Sequence, residues 1–327
     1  MYAAYIDELG PPENIRYGRI AHAAPGPTDV LVDVGAVSVN PVDTLVRAGV
    51  FRTPMTFPFV IGRDLVGTVV TAGPGAPGFR PGDLVWCNSL GHGGRQGAAC
   101  ERAVVPADRL YPLPPAVDPA TAVATVHPAA TAYLALFTHG HLRSGETVLV
   151  AGGAGNVGSA LVLMAAHAGA RVVATATPDD ADHCRALGAD QVLDYRDPQL
   201  PRLLRRACPD GVDLHADTSG ANDLPAAVDL LAPGGRIVLL AGARSRSELP
   251  VGPLYMKNGH ITGFVISHAS VAELAQAAAM ANRFLAGGHL KPRRIEEMPL
   301  GAAGEAHRRL EAGEFHGRRI VLRPPGH

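Results

Sequence analysis

From about residue 123 to residue 266 the chain alternates strand-length apolar runs with amphipathic ones, and few folds satisfy that rhythm. The run "ETVLVAG" (146–152) reads as an apolar strand. In "NVGSALVLMAAHAG" (156–169), Val157, Ala160, Leu161, Met164 and Ala168 recur at helical spacing on one face. Then follow "ARVVATA" as strand, "DDADHCRALG" as helix, "DQVLDY" as strand and "LPRLLRRAC" as helix. "GVDLHADTSG" (strand), "ANDLPAAVDLLAPGG" (helix) and "RIVLLAG" (strand) continue the pattern, and "HITGFVI" (260–266) adds a last strand. Such alternation predicts an α/β fold with a doubly wound parallel sheet covered on both faces.

The earlier part has another rhythm. "DVLVDVGAVSVN" (29–40) alternates and then stops at Pro41. "LVGTVVTAG", "GDLVWC" and "CERAVVP" are short strand candidates separated by Gly and Pro clusters. This predicts a β-rich, irregular barrel or sandwich. The tail returns to helix at "SVAELAQAAAMANRFLAGG" and closes on the strand "RRIVL", so it is expected to complete the first domain. The expected division is residues 1–122 with 267–327, and 123–266.

One segment names a ligand class. In "VLVAGGAGNVGSA", Gly153, Gly155 and Gly158 have dinucleotide-binding spacing, between a predicted strand and a predicted helix. Backbone N–H groups and the positive helix end there suit phosphates, which brings in Asn156 and Val157. An acid about 20 residues on usually holds the ribose diol of NAD. Thr175 is expected at that strand tip instead, which favours NADPH. Asp179 and Asp180 follow closely and read as helix N-terminal charge.

Composition excludes several alternatives. Net charge is −1 with a pI near 6.9, so no broad attraction to nucleic acid or anionic lipid is expected. Lys257 and Lys291 are the only lysines, so a phosphate grip falls to arginine, backbone or hydroxyl groups. Cys87, Cys100, Cys184 and Cys208 form no Cys-x-x-Cys pair, and reduced thiols in a cytoplasmic protein are expected. No targeting segment or membrane span is expected.

The stretches "VSVNPVDTLVRAG", "TAYLAL", "GETVLVAGGAGNVGSALVLMAAHAGARVVATA" and "PGGRIVLLAG" resemble medium-chain dehydrogenases/reductases, more narrowly the zinc-independent quinone oxidoreductases. The resemblance spans essentially the whole chain. It implies a GroES-like catalytic domain, a Rossmann domain and an active-site cleft between them. It also implies NADPH, hydride transfer to a quinone or other conjugated carbonyl, and a homodimer formed by edge-to-edge pairing of strand 260–266.

Site residues follow from that resemblance. Asn40 and Asp43, in "NPVD", match positions lining the nicotinamide pocket, where the Asn40 amide would donate to a developing oxyanion. Thr131 would point its hydroxyl at the nicotinamide or ribose, and Tyr195 would stand near the 2′-phosphate. Gly242, Phe264 and Val265 would offer backbone groups to the nicotinamide. Phe51 stands where several relatives carry a tyrosine, so a phenolic proton donor is absent; His127, His92 or water are the substitutes. In "IGRDLVG", Arg63 replaces the metal-binding histidine of zinc-dependent relatives, and another ligand position falls near His127. One imidazole beside a guanidinium cannot hold catalytic zinc, which needs about three protein ligands. Arg63 with Asp64 therefore reads as a charge pair bordering the substrate cleft, either in contact with substrate or as a purely structural salt bridge. Two other readings stay open: an enoyl or enone reductase of secondary metabolism, and a crystallin-like nucleotide binder with little turnover.

Overall fold

The computed structural model describes residues 1–21 and 24–326. Its strands are β1 (Tyr2–Ile6), β2 (Arg16–Arg19), β3 (Asp29–Ser38), β4 (Phe59–Val60), β5 (Asp64–Ala72), β6 (Leu84–Cys87), β7 (Arg102–Pro106), β8 (Tyr111–Pro112), β9 (Thr147–Ala151), β10 (Arg171–Ala176), β11 (Gln191–Asp194), β12 (Val212–Asp217), β13 (Leu231–Leu239), β14 (His260–Gly263), β15 (Ile295–Pro299) and β16 (Arg319–Arg323). The helices are α1 (Pro41–Arg47), α2 (Pro119–Tyr133), α3 (Asn156–His167), α4 (Ala181–Ala186), α5 (Leu200–Ala207), α6 (Leu224–Leu230), α7 (Val251–Met256), α8 (Val271–Ala286) and α9 (Ala303–Glu311). Two units emerge: Met1–His127 with Leu274–His327, and Pro128–Glu273. Both boundaries fall a few residues later than the changes of rhythm in the sequence.

In the first unit, β3 is the organising strand. Its alternating Val30, Val32 and Val34 are fully buried, as period-2 side chains on one sheet face should be. β3 pairs antiparallel with β5, β7 and β16. Val321 lies opposite Ser38 and Leu322 opposite Val37, so the C-terminal tail is stitched onto the end of β3. That pairing brings Arg319 to the point where β3 hands over to α1. Pro41 occupies the first turn of α1, where a missing N–H costs nothing.

The second unit is the parallel sheet. Its order is β11-β10-β9-β12-β13-β14, the reversal at β9 that marks dinucleotide-binding sheets. Every pairing in it is parallel. Val173, Val212, Val228 and Ile237 belong to the apolar core around it. The helix expected over 221–235 stops at Leu230. Pro233 lacks an N–H and Gly234 takes φ +75°, so the backbone cannot continue helically.

The sequence shows no uninterrupted apolar span, yet α2 continues into a π-helical turn, Leu134–His139. Together they make a 21-residue run apolar enough to cross a bilayer by composition, with 83% of its most apolar window buried.

His307, on α9, is buried, and burial with the nearby Arg47 charge pushes its imidazole down to about 3. The unfolded chain binds that proton near pH 6.5, so His307 contributes stability that is complete above that pH and declines as pH falls toward 3. Asp43 acts oppositely, because burial raises its carboxyl to about 6 and its contribution is lost as pH rises from about 4 to 6. Comparing the wild type with His307→Gln isolates the imidazole. On going from pH 7 to pH 5, denaturant titration should show the wild type losing about 2 kcal/mol more than the variant.

Candidate functional site

Each unit carries one candidate site component. In the first, β3 ends at Ser38 and Asn40 caps α1 just beyond it, with Asn40 Nδ2 3.4 Å from Ser38 Oγ. The polar pair is buried because it closes on Asp64, at the start of β5. Ser38 Oγ donates to Asp64 Oδ2 at 2.6 Å, and Asn40 Nδ2 donates to the same oxygen at 2.7 Å. The other oxygen, Oδ1, faces His127 Nδ1 at 3.1 Å. Asp64 is 0% exposed and His127 7%.

The charges explain why the cluster is stable. Burial alone would raise the Asp64 carboxyl. The facing His127 and the hydrogen bonds from His127, Ser38 and Asn40 outweigh it and hold Asp64 below the usual carboxylate range. An ionised carboxylate only accepts, so His127 Nδ1 carries a proton. Arg319 closes the network from β16. Its Nη2 donates to Asn40 Oδ1 at 2.8 Å and Ser38 Oγ at 3.1 Å, and its Nε to the Ala124 carbonyl at 2.8 Å. Burial lowers the Arg319 guanidinium, while Asp64 and Asp43 support its charge. Asp43 Oδ2 accepts from the Asn40 backbone N–H at 2.8 Å, and its Oδ1 has no partner.

Asn40 is 1% exposed, with both ends of its amide engaged by Asp64 and Arg319. One expected pairing changes here. Arg63 does not pair directly with Asp64, whose ion-pair partner is His127. Arg63 is fully buried, its Nε and Nη1 make no hydrogen bond, and burial lowers its basicity against the support of Asp43 and then Asp64. Phe51 packs its ring on His92, with centroids 5.5 Å apart.

In the second unit the turn from β9 to α3 carries the glycines. Gly152 takes φ +81°, the left-handed conformation that makes the turn tight. The spacing pattern did not include it, although the doubled glycine was visible. A Cβ on Gly158 would stand 2.0 Å from the Gly152 carbonyl, so this glycine lets helix and strand close up. A Cβ on Gly155 would meet only that carbonyl, at 3.4 Å. Gly155 and Asn156 are exposed, and Val157 is partly so. The turn thus presents an open helix N-terminus, suited to a diphosphate.

Thr175 is not the strand tip. β10 continues to Ala176, and the Thr175 hydroxyl accepts the Gly152 N–H at 3.1 Å while its carbonyl accepts that of Gly153 at 2.9 Å. It shapes the glycine turn instead. Asp180 turns inward, accepting from the Thr177 hydroxyl at 2.9 Å. Tyr195 follows β11 and is 50% exposed, with the Arg196 guanidinium 5.3 Å from its ring centroid. Arg196 was missed, since one arginine among many carries no sequence signal. Gly242 takes φ +82°, and a Cβ there would stand 2.4 Å from Asn222 Nδ2. The Phe264 N–H bonds the Leu239 carbonyl, its ring stacks on His139 at 4.5 Å, and Val265 continues in extended conformation. Thr131 lies on α2, near-buried.

Among the described residues no three or more His, Cys, Asp or Glu side chains are grouped to hold a metal ion.

Comparison with known proteins bears on the family and the fold. The zinc-binding dehydrogenase family matches residues 156–283, and the alcohol dehydrogenase GroES-like domain matches 26–115. A quinone oxidoreductase of Rattus norvegicus is 30% identical over 310 residues, covering 94% of this chain and 93% of the relative. A solved NAD-dependent alcohol dehydrogenase superposes with a TM-score of 0.87 at 32% identity, over 99% of both chains. Mycobacterial Rv1454c, solved with NADPH, gives 0.84 at 30% identity, over 99% of this chain and 100% of that one. The chain belongs to the medium-chain dehydrogenase/reductase family, in the branch that holds the quinone oxidoreductases.

Proposed function

We propose that this protein is an NADPH-dependent oxidoreductase that reduces a conjugated carbonyl acceptor, quinones included, without zinc. The observation that carries the reading is the open glycine turn at the reversal point of a parallel sheet. Asn156 and Val157 would receive the diphosphate there, on N–H groups that α3 leaves unused, beside Gly155, whose own N–H donates to the Gly152 carbonyl at 3.1 Å. Gly242, Phe264 and Val265 are assigned to the nicotinamide end, and Thr131 to the nicotinamide or ribose.

The choice of NADPH rests on what stands beside β10. Ala176 pairs with Asp194, so Tyr195 and Arg196 follow directly beside the strand's end. Asp180, the buried acid nearby, is turned toward Thr177. An exposed guanidinium on an aromatic ring suits a 2′-phosphate and offers nothing to a ribose diol. The relative solved with NADPH is in keeping with this assignment.

Bound NADPH supplies the hydride, so the protein's own task is alignment and electrostatics. His127, Ser38 and Asn40 hold Asp64 ionised, Arg319 fixes Ser38 and Asn40, and Asp64 orients His127. The donor set supports zinc independence. Arg63 is a cation with no lone pair to give, and the Nδ1 of His127 is committed to Asp64.

Assembly and location belong to the same proposal. β14 ends the sheet, and an unpaired edge invites a partner. Beside it in sequence, Val251, Tyr255 and Met256 are exposed, Met256 by 72%. A second copy of the chain is the occupant proposed. None of the four cysteines forms a disulfide, in keeping with a reducing cytoplasm.

Titration with NADPH, followed by fluorescence, tests the reading; no complex at millimolar nucleotide would defeat it. Gly155→Ala should weaken NADPH binding at least tenfold with little change in stability, because within the protein its Cβ meets only the Gly152 carbonyl, at an ordinary 3.4 Å, and otherwise projects into the open turn. Gly158→Ala should lower stability by about 1–3 kcal/mol or more through the clash with Gly152, read by denaturant unfolding. Arg196→Ala should reduce the preference for NADPH over NADH by roughly tenfold or more, judged by the two dissociation constants. Tyr255→Glu with Met256→Glu should convert a dimer to a monomer in analytical ultracentrifugation.

A further inference from the structure

We propose that Ser159 and His183 are positioning residues for the cofactor, which together hold the glycine turn between β9 and α3 in the shape that receives the diphosphate. This role rests on the NADPH binding assigned to that turn above and adds two residues that the glycine spacing does not contain. Ser159 lies near the start of α3 and His183 lies on α4, and both are partly buried. Ser159 Oγ donates to the Gly153 carbonyl at 3.3 Å and stands 2.9 Å from His183 Nε2.

The placement of one proton gives the contact its direction. A serine hydroxyl has a single proton to donate, and a backbone carbonyl only accepts. With the Ser159 proton on the Gly153 carbonyl, His183 Nε2 supplies its own N–H to Oγ, and 2.9 Å is the ordinary length of an N–H···O bond. A bare Nε2 would instead draw the Ser159 proton to the imidazole and release the carbonyl. His183 therefore acts through Ser159 on the backbone of the turn.

The turn has reason to be held. Gly152, Gly153 and Gly155 stand within four residues, and glycine has more backbone freedom to lose than any other residue. Fixing such a segment before the ligand arrives removes part of the ordering cost of binding. Thr175 fixes it from β10, its hydroxyl accepting the Gly152 N–H at 3.1 Å and its carbonyl the Gly153 N–H at 2.9 Å. Ser159 takes hold of the other side of Gly153, at the carbonyl. The helix that carries His183 is seated against the same residue: a Cβ on Gly153 would stand 3.5 Å from Cys184 Sγ. The entry to α4 is steadied in turn by Asp180, which accepts from the Thr177 hydroxyl at 2.9 Å. The His183–Ser159 contact thus ties the element that follows β10 to the turn that follows β9.

The test is NADPH titration of the full-length protein, followed by fluorescence. Ser159→Ala and His183→Leu should each raise the NADPH dissociation constant by about three- to tenfold, the value of one hydrogen bond. The double variant should lose no more than the larger single loss, because the two residues act on one carbonyl. His183→Gln keeps an N–H donor at similar reach and should stay within about twofold of wild type. Leucine and alanine variants that are less stable but bind NADPH as wild type does mean packing alone and overturn the proposal. A glutamine variant as weak as the leucine one overturns it too. Wild type that binds no NADPH defeats the cofactor reading together with this one, whereas tight binding that ignores all four variants defeats only this one. A further measurement is made on the wild type, which folds whatever the variants do. Its nitrogen-15 histidine spectrum, with the His183 signal assigned from His183→Gln, should show the proton on Nε2 before NADPH is added. An unprotonated Nε2 overturns the proposal.

Discussion

A carboxylate with no access to water governs the first unit. Asp64 is ionised inside the protein, and an uncompensated charge there would cost several kcal/mol. Compensation comes from four directions in the chain: the end of β3, the start of α1, α2, and β16 from the C-terminal tail. Each contributes one group. The tail therefore does more than fill a sheet edge. By pairing Val321 with Ser38 it brings Arg319 against Asn40, and so holds the amide that holds the carboxylate.

The second unit is governed by space rather than charge. Gly152 bends the chain where side chains are strained, and Gly158 allows the helix to approach the strand. Thr175 braces the turn from β10 by accepting the Gly152 N–H. What remains open is Gly155 and the first turn of α3. One unit thus exposes backbone donors at a helix end, and the other buries the Asp64–His127 pair.

Much of this was legible in the residues. The alternation after residue 122 matched the parallel sheet strand for strand, because apolar runs of that length between helical periods have few other solutions. β3, β5, β6, β7 and β16 also stood out, since each is β-branched and bounded by Gly or Pro. Shorter or more polar strands did not. β2 is "RYGR" and β15 is "IEEMP", neither with an apolar alternation to read. β4 and β8 are two residues each, held by their partners rather than by their own pattern. At the site, Asn40, Asp43, Arg63 and His127 were identified as positions but not as partners. Adjacent in sequence, Arg63 and Asp64 invite pairing; in the fold, Asp64 reaches for His127 instead.

The sequence alone determined the kind of sheet, the place of the glycine turn and the residue types available for chemistry, because these depend on local periodicity and on steric limits at single residues. Only the tertiary structure decided which donors meet Asp64, that the Asn40 amide bonds Asp64 and Arg319, and that Arg319 belongs to the cluster. Those outcomes depend on strand register between segments up to hundreds of residues apart, where a shift by one residue would turn every side chain to the opposite face.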